Sequence, residues 1–229
     1  MLKRLLSLPI LLSSVLLAQQ PGKAPHTIRA SGEATVSAPP DRAEISVAVS
    51  TVDETAEAAA AQNARQTTQV LDALKRLMKG TGALKTSGYS INAEYQYEQG
   101  QTPKLTGYRA NNSVLATVDD LALVGQIIDQ AALSGATSIP GVSFTLRDDA
   151  AVRSKALAEA AVKARASAEA IAAALNLKVL GVLDAQTNDA ANVRPLPLMQ
   201  SRVAAPNSTP IETGTLDVHA SVVVTLEVQ

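Results

Sequence analysis

Residues 215–228 read TLDVHASVVVTLEV, and apolar and polar side chains alternate along the whole stretch. A period of two places successive side chains on opposite faces of a strand, so this stretch predicts a β-strand with one buried face. A strand of this length needs neighbouring strands and a covering layer, which other parts of the chain must supply. Seven side chains share the expected buried face: Leu216, Val218, Ala220, Val222, Val224, Leu226 and Val228.

The same alternation occurs near the start of the chain, over residues 27–51. The run Pro39-Pro40-Asp41 interrupts it, and proline both fixes its backbone φ and lacks an amide hydrogen. We therefore expect two antiparallel strands joined by a turn at this run. Gly32 lies inside the first strand and predicts a β-bulge or the close approach of another backbone. Further strands are predicted at residues 85–98, 105–118, 139–146 and 179–185.

Three other stretches repeat their apolar side chains every three or four residues, as amphipathic helices do. The first covers residues 53–79, and either Asp53 or the pair Thr51 and Glu54 is expected to cap its start. The second is shorter and covers residues 119–134, directly before a glycine that should end it.

The third and longest helix is expected to begin at Asp148 or Asp149 and to end near Asn176. Apolar and small side chains recur along it in alternating steps of four and three residues, which predicts a buried seam. That seam covers the protein's own sheet or lies between subunits, and both alternatives are open. The expected seam residues are Ala150, Ser154, Leu157, Ala161, Ala164, Ala168, Ile171 and Leu175.

These elements predict an α+β fold: a mixed or antiparallel sheet packed against two long helices and one shorter helix. Residues 1–18 precede it and have the features of a secretory signal peptide, with Lys3 and Arg4 followed by a short apolar run that ends at Ala18. We expect cleavage there, with an uncleaved anchor as the alternative. Residues 19–26 then form a linker, and residues 27–229 form the domain.

One long segment has no regular period. Residues 186–214 contain four prolines, which disfavour a regular strand ladder. Their apolar side chains exceed what a solvated linker requires. We expect a contact arm that a second subunit covers; the alternative is that it folds back on its own sheet. The candidate contact residues are Leu196, Leu198, Met199 and Val203.

The composition of the chain disfavours several classes of partner. The formal net charge is -1 with both signs interspersed, which disfavours nucleic acid and anionic membrane surfaces. The chain has no cysteine, so it has neither a disulfide nor a thiolate nucleophile, and no lipid-modified cysteine follows the apolar run. Aromatic residues are few, with four tyrosines and one phenylalanine, so stacking platforms for sugars or bases are scarce.

The residues that could carry catalysis are few. His26 and His219 are the only histidines, too few for a three-histidine zinc site. The acidic doublets 119–120 and 148–149 stand at predicted helix starts, where capping accounts for them. Arg109, in a predicted strand, is the cation of greatest interest. We therefore predict no catalytic residue, no metal site and no cofactor.

Several short strings, in this order and spacing, resemble the SIMPL-domain family of exported bacterial proteins. The resemblance implies an α+β fold, a location in the periplasm or outer envelope, a role in envelope or oxidative stress, and self-association in some members. It implies no catalytic residues. The matching strings lie at residues 28–36, 40–43, around Tyr95, 107–111, 135–144, in the helix after Asp149, at 180–182 and at 214–228.

The sequence thus predicts a non-enzymatic envelope protein that binds or assembles, with a homo-oligomer as the expected state. After signal cleavage no integral membrane span is expected. The alternative is a periplasmic small-ligand-binding protein or an enzyme whose site is gathered from dispersed polar residues, for instance Arg109 with an aspartate at a helix start.

Overall fold

The computed structural model describes residues 25–187 and 209–229, and the backbone of residues 193–196. Strands and helices follow one another in an α+β arrangement, which confirms the predicted class. The strands are β1 (His26–Ala38), β2 (Arg42–Asp53), β3 (Gly82–Gln96), β4 (Lys104–Val118), β5 (Ser138–Thr145), β6 (Val179–Thr187), β7 (Val193–Leu196) and β8 (Thr215–Val228). The helices are α1 (Ala56–Met78), α2 (Val124–Leu133), which a short 3-10 helix (Leu121–Leu123) precedes, and α3 (Ala150–Ala174).

The strands form two antiparallel sheets. In the first, here called the terminal sheet, β8 lies between β1 on one side and β6 and β7 on the other. In the second, the central sheet, the order is β3-β4-β2-β5. The terminal sheet is thus built from both ends of the described chain, and the central sheet from the residues between them. All seven predicted inward side chains of β8 are buried, which confirms the alternation that begins at Leu216.

The expected pairing of the first two strands is wrong. β1 pairs with β8 along its whole length, whereas β2 pairs with β4 and β5, so residues 39–41 cross from one sheet to the other. Two successive prolines restrict φ and supply no amide donor, which suits an extended crossover better than a hairpin turn. The crossover is fixed by Asp41, whose amide donates to the Thr145 carbonyl (3.2 Å) and whose carboxylate accepts from the Arg147 amide (2.6 Å).

Helix α3 covers the terminal sheet with a stripe of alanines. The buried residues are spaced four apart and begin at Ala156, whereas Ile171 is 42% and Leu175 is 61% exposed. The predicted seam is therefore correct at Ala164 and Ala168, which are buried, and at Leu157 and Ala161, which are half-buried against the same core. It is wrong at both ends, because Ala150 and Ser154 at its start are exposed as well. Steps of four advance 400° around a helix of 3.6 residues per turn, so the contact stripe winds around α3 and leaves the predicted face. The stripe is Ala156, Ala160, Ala164, Ala168 and Ala172.

Helices α1 and α2 cover one face of the central sheet. Val70 and Leu74 of α1 and Ile127 of α2 pack against inward side chains of β2 and β4. Within this layer the buried amide of Asn63 donates to the carbonyls of Val49 (2.9 Å) and Ala110 (3.0 Å), which joins α1 to both strands.

The predicted caps of α1 are wrong. β2 continues to Asp53, so the helix begins later, and Thr55 is the N-cap, with its side chain accepting from the Ala58 amide. The helix ends as Lys79 and Gly80 both adopt positive φ, at 47° and 81°. Among the described residues no helix combines the length and apolarity needed to cross a membrane.

Candidate functional site

The predicted contact arm lies largely outside the described residues. Leu198, Met199 and Val203 are among the residues whose placement is not described, and of Leu196 only the backbone is described, paired with Thr215 at the end of β7. Part of the arm is therefore a strand, because the backbone of residues 193–196 pairs with the start of β8 in spite of Pro195. The role of the arm as a contact surface stays a prediction.

The C-terminal part of the arm is tied to α2. The Thr209 amide and hydroxyl both donate to the carboxylate of Asp129, at 3.1 and 2.6 Å. Two residues later Ile211 packs against the core of the central sheet. The segment before β8 thus connects the terminal sheet to the helical layer of the central sheet. Asp129 could not be singled out from the sequence, because a single polar residue on an amphipathic helix carries no distinctive pattern.

Arg109 is held within the central sheet. Its guanidinium forms an ion pair with Glu94 of the neighbouring strand at 2.5 Å and contacts the Ser50 hydroxyl at 3.4 Å. The hydrogen bond from Arg109 lowers the pKa of Glu94, and the same bond raises the pKa of Arg109. Arg109 is therefore paired with a strand glutamate and not with an aspartate at a helix start, which is the pairing that the alternative enzyme hypothesis named.

The acidic doublet 119–120 has structural partners. Asp119 accepts from Arg42 at 2.7 Å and lies 3.5 Å from Arg147. The hydrogen bond from Arg42 lowers the pKa of Asp119, with smaller contributions from the charges of Arg42 and Arg147. Asp120 accepts from the Ala122 amide at the start of the 3-10 helix. Both carboxylates therefore fix the local chain.

The second doublet caps α3. Asp148 accepts from the Ala150 amide at 2.9 Å, and Asp149 pairs with Arg153 one turn later. These contacts match the predicted capping role at this helix start, with Asp148 rather than Asp149 supplying the side-chain cap.

Both histidines lie at exposed strand positions. His219 lies on the exposed face of β8, as the alternation predicted, and its Nδ1 is 2.9 Å from the Thr35 hydroxyl. His26 is exposed at the first position of β1. In the part of the chain that the structure describes, no group of three or more histidine, cysteine or acidic side chains could hold a metal ion.

An open groove of about 270 Å³ lies where α1 ends and β3 begins. Its lining is mainly apolar, and Lys75 is the charged side chain in it. The groove combines apolar side chains with one ammonium group, and both kinds of group can contact a bound ligand. The lining residues are Lys75, Met78, Gly80, Gly82 and Leu84.

Two exposed apolar surfaces stand out among the described residues. The first, here called the α3–β6 patch, lies around the connection between α3 and the edge strand β6. α3 covers β1 and β8 and leaves most of β6 uncovered. The patch consists of Ile171, Leu175, Leu180, Val182 and Leu183.

The second surface, the tyrosine strip, follows one face of β3. The strand register pairs three members of this face with residues of β4: Tyr89 with Asn112, Ile91 with Ala110 and Ala93 with Tyr108. Because Ala110 is buried, this face of β3 is on the same side of the sheet as α1. α1 packs over β2 and β4, so the strip remains exposed. Its members are Tyr89, Ile91, Ala93 and Tyr95.

The aromatic residues are not only few but also close together in the chain, a feature that the predictions from sequence did not use. All four tyrosines of the chain lie between residues 89 and 108, within the β3–β4 hairpin. The side chains of Tyr89, Tyr95 and Tyr97 are 55%, 48% and 77% exposed. This clustering was visible in the sequence, and together with the exposure of three of the tyrosines it indicates a candidate binding surface.

The comparisons with known proteins agree on one protein family. Residues 28–226 match the family model SIMPL, described as a protein of unknown function (DUF541). The chain is 29% identical over 219 residues to the 26 kDa periplasmic immunogenic protein of Brucella melitensis biotype 1, covering 90% of this chain and 86% of that protein. It is 27% identical over 186 residues to the uncharacterized protein YggE of Escherichia coli K12, covering 80% and 74%.

The match to the family model begins within β1 and ends within β8, and so includes both sheets. The protein is located in the bacterial periplasm, as the names of its Brucella relatives indicate. The chain belongs to the SIMPL family of exported bacterial envelope proteins, which confirms the resemblance identified in its sequence.

Proposed function

We propose that this periplasmic protein acts by binding and assembly rather than by catalysis, and that copies of it associate with each other. The observation that carries the proposal is the α3–β6 patch, in which five large apolar side chains within residues 171–183 are exposed. Contiguous apolar surfaces on soluble proteins generally mark contacts with other molecules. The predicted contact arm begins a few residues further along the chain.

The arrangement of charged groups supports this reading. Arg109, Asp119 and Asp149 each pair with a neighbouring side chain in a way that fixes a strand, a crossover or a helix start. General acid–base catalysis needs a titratable group within reach of a substrate in a cleft. The three groups named above are instead held in pairs that stabilise the fold.

Self-association is tested with a matched pair of surface variants. Leu175→Ser alters the α3–β6 patch, whereas Leu133→Ser alters a leucine at the end of α2 that is even more exposed, at 83% against 61%. We expect Leu175→Ser to lower the solution mass measured by light scattering, and Leu133→Ser to leave it unchanged. Equal masses for both variants and the wild type would remove the patch from the proposal.

The contact arm is tested separately. Replacing residues 197–208 by a glycine–serine linker of equal length removes Leu198, Met199 and Val203 but keeps β7 and the Thr209–Asp129 contact. The proposal predicts a lower solution mass with an unchanged far-UV circular dichroism spectrum. An unchanged mass would show that these side chains do not hold subunits together.

We extend the proposal to the envelope and oxidative stress role that the family resemblance implies. Deletion of the gene should then increase sensitivity to peroxide or to detergent, and complementation with the wild type should restore resistance. If the variant with the glycine–serine linker at residues 197–208 also restores resistance, the stress role does not depend on the arm.

The weaker alternative, a small-ligand protein, is supported by the groove at Lys75. Lys75→Ala should abolish ligand-induced shifts in melting temperature if that groove is the working site. A full rescue of the deletion strain by Lys75→Ala would reject it.

A further inference from the structure

The outer edge of β3 has no neighbouring strand among the described residues. The central sheet is ordered β3-β4-β2-β5, so β3 pairs with β4 on one side only. About half of the backbone amides and carbonyls of an edge strand point away from its partner, and they form a template on which another strand can pair. Between Gly88 and Glu94 the register with β4 is uninterrupted, which provides a straight template of seven residues.

The other edge strands carry the features that prevent such pairing. β5 contains Pro140, and β6 has two register shifts along its nine residues. β1 exposes the charged side chains of Arg29 and Glu33. Prolines, irregular registers and charged side chains are the usual protection of sheet edges.

β3 lacks this protection over its straight segment. The only charged side chain between Gly88 and Glu94 is Glu94 itself, and it is paired with Arg109 of the neighbouring strand. Because Glu94 is paired with Arg109, this part of the edge has no unpaired charge, and it lacks the protective features of the other edges. It therefore suits a partner segment that is itself uncharged.

The side chains of this segment favour one shape of partner. The tyrosine strip presents apolar groups at every second residue, while the opposite face of β3 presents the polar Ser90 and Asn92. A strand paired with β3 would place its own alternate side chains beside those two faces. The matching occupant has apolar residues at every second position and polar uncharged residues between them.

We propose that the outer edge of β3 binds an extended, uncharged polypeptide segment of another protein, with alternating apolar and polar side chains, by adding it to the central sheet as a fifth strand. Backbone hydrogen bonds to β3 supply affinity, and the tyrosine strip selects the apolar positions. A sugar chain could stack on the tyrosines but would not match the repeat of the edge amides and carbonyls. This inference goes beyond the proposed function, because it needs no contact between copies of the protein.

The probe is an acetylated heptapeptide of alternating threonine and valine that carries fluorescein, and binding is measured by fluorescence anisotropy. The expected result is saturable binding in the micromolar range. The first control is the same peptide with alternate amides methylated, which blocks strand pairing on one edge. We expect that peptide to bind at least about tenfold more weakly.

Three variants of the protein locate the site. Ile91→Lys places a charge in the middle of the tyrosine strip, and Tyr89→Ser removes an aromatic group at its start. Val162→Lys makes the same kind of change as the first variant on the exposed face of α3. Ile91→Lys and Tyr89→Ser should weaken binding by about tenfold, whereas Val162→Lys should bind as the wild type does. Unchanged melting temperatures show that each variant is folded, and Tyr89→Ser decides the matter if Ile91→Lys does not fold.

Four outcomes overturn the proposal. They are the absence of saturable binding, equal binding of the methylated peptide, equal binding by Tyr89→Ser, and a lower solution mass for Ile91→Lys, which would show that a second copy occupies the strip. Co-sedimentation of the wild type but not Ile91→Lys with phosphatidylcholine vesicles would assign the strip to a lipid surface and also overturn it. If Leu175→Ser no longer self-associates but still binds the peptide, peptide binding by β3 does not depend on the self-association in the proposed function.

Discussion

Gly32 of β1 lies directly against the backbone of Ala164 in the middle of α3. A side-chain carbon at Gly32 would overlap the amide nitrogen of Ala164 and the carbonyl oxygen of Ala160. The register of β1 with β8 is continuous through this position, so close approach, and not a bulge, is the reason for glycine here. The alanine stripe and Gly32 together allow α3 to lie close to the terminal sheet.

Gly32→Ala should therefore destabilise the protein by at least about 2 kcal/mol, because the obstructing atoms belong to the backbone and the helix must move. Gly181→Ala in β6 is the matched control, since nothing lies within 4 Å of a side-chain carbon built there. Urea unfolding followed by circular dichroism measures both. Similar midpoints for the two variants would refute the close approach.

The alanine stripe gives a second prediction. Ala168→Leu adds three carbon atoms against the terminal sheet and should cost about 1–3 kcal/mol of unfolding free energy. Ala170→Leu makes the same change two residues later on an exposed face and should stay within about 0.5 kcal/mol of the wild type. If Ala170→Leu is the more harmful change, the assignment of the buried face is incorrect.

Asn63 is the subject of a third prediction. Its amide donates to two backbone carbonyls in a buried position, so Asn63→Ala should cost about 1–3 kcal/mol. Gln62→Ala, on the exposed side of the same helix, serves as control and should change stability little. Thermal unfolding of both variants tests this, and an unaffected Asn63→Ala would mean that the two carbonyls are satisfied without it.

The Arg42–Asp119 pair predicts a pH dependence. The hydrogen bond from Arg42 keeps the pKa of Asp119 below its ordinary value. The pair therefore stabilises the folded state at pH values above the unfolded pKa of about 3.9, and this contribution is lost as the pH falls through the lower folded pKa. We expect the wild type to lose more stability than Asp119→Asn on acidification from about pH 5 to pH 2.

Asp72→Asn is the control for that experiment. Asp72 is an exposed residue of α1 and takes part in none of the ion pairs found among the described residues. Its variant should retain the acid sensitivity of the wild type. A flattened profile for Asp72→Asn, or an unchanged one for Asp119→Asn, would contradict the assignment.

The sequence predicted the elements better than their pairing. The alternation from Leu216 to Val228 located β8 at its observed bounds, because a period of two is a local property of the chain. The partners of β1 and β2 are set by which apolar faces meet in space, and no local pattern carries that information. The predicted seam of α3 was wrong at its two ends for a similar reason, since the winding of the contact stripe depends on how the helix crosses its sheet.

Of the candidate surfaces, too, one is indicated by a local sequence pattern and another depends on how the elements pack. Proline content and apolar side chains pointed to residues 186–214, whereas the tyrosine strip became visible only when register placed Tyr89 and Ile91 on one face beyond α1. The clustering of the tyrosines was available in the sequence, but their exposure depends on how far α1 extends over the sheet.

The central claim, that the protein works by association, is tested most directly by the solution mass of the wild-type protein isolated from the periplasm. Light scattering coupled to size-exclusion chromatography should give a whole-number multiple, greater than one, of the protomer mass. That mass should hold on moderate dilution. A monomer mass at every concentration would contradict the account.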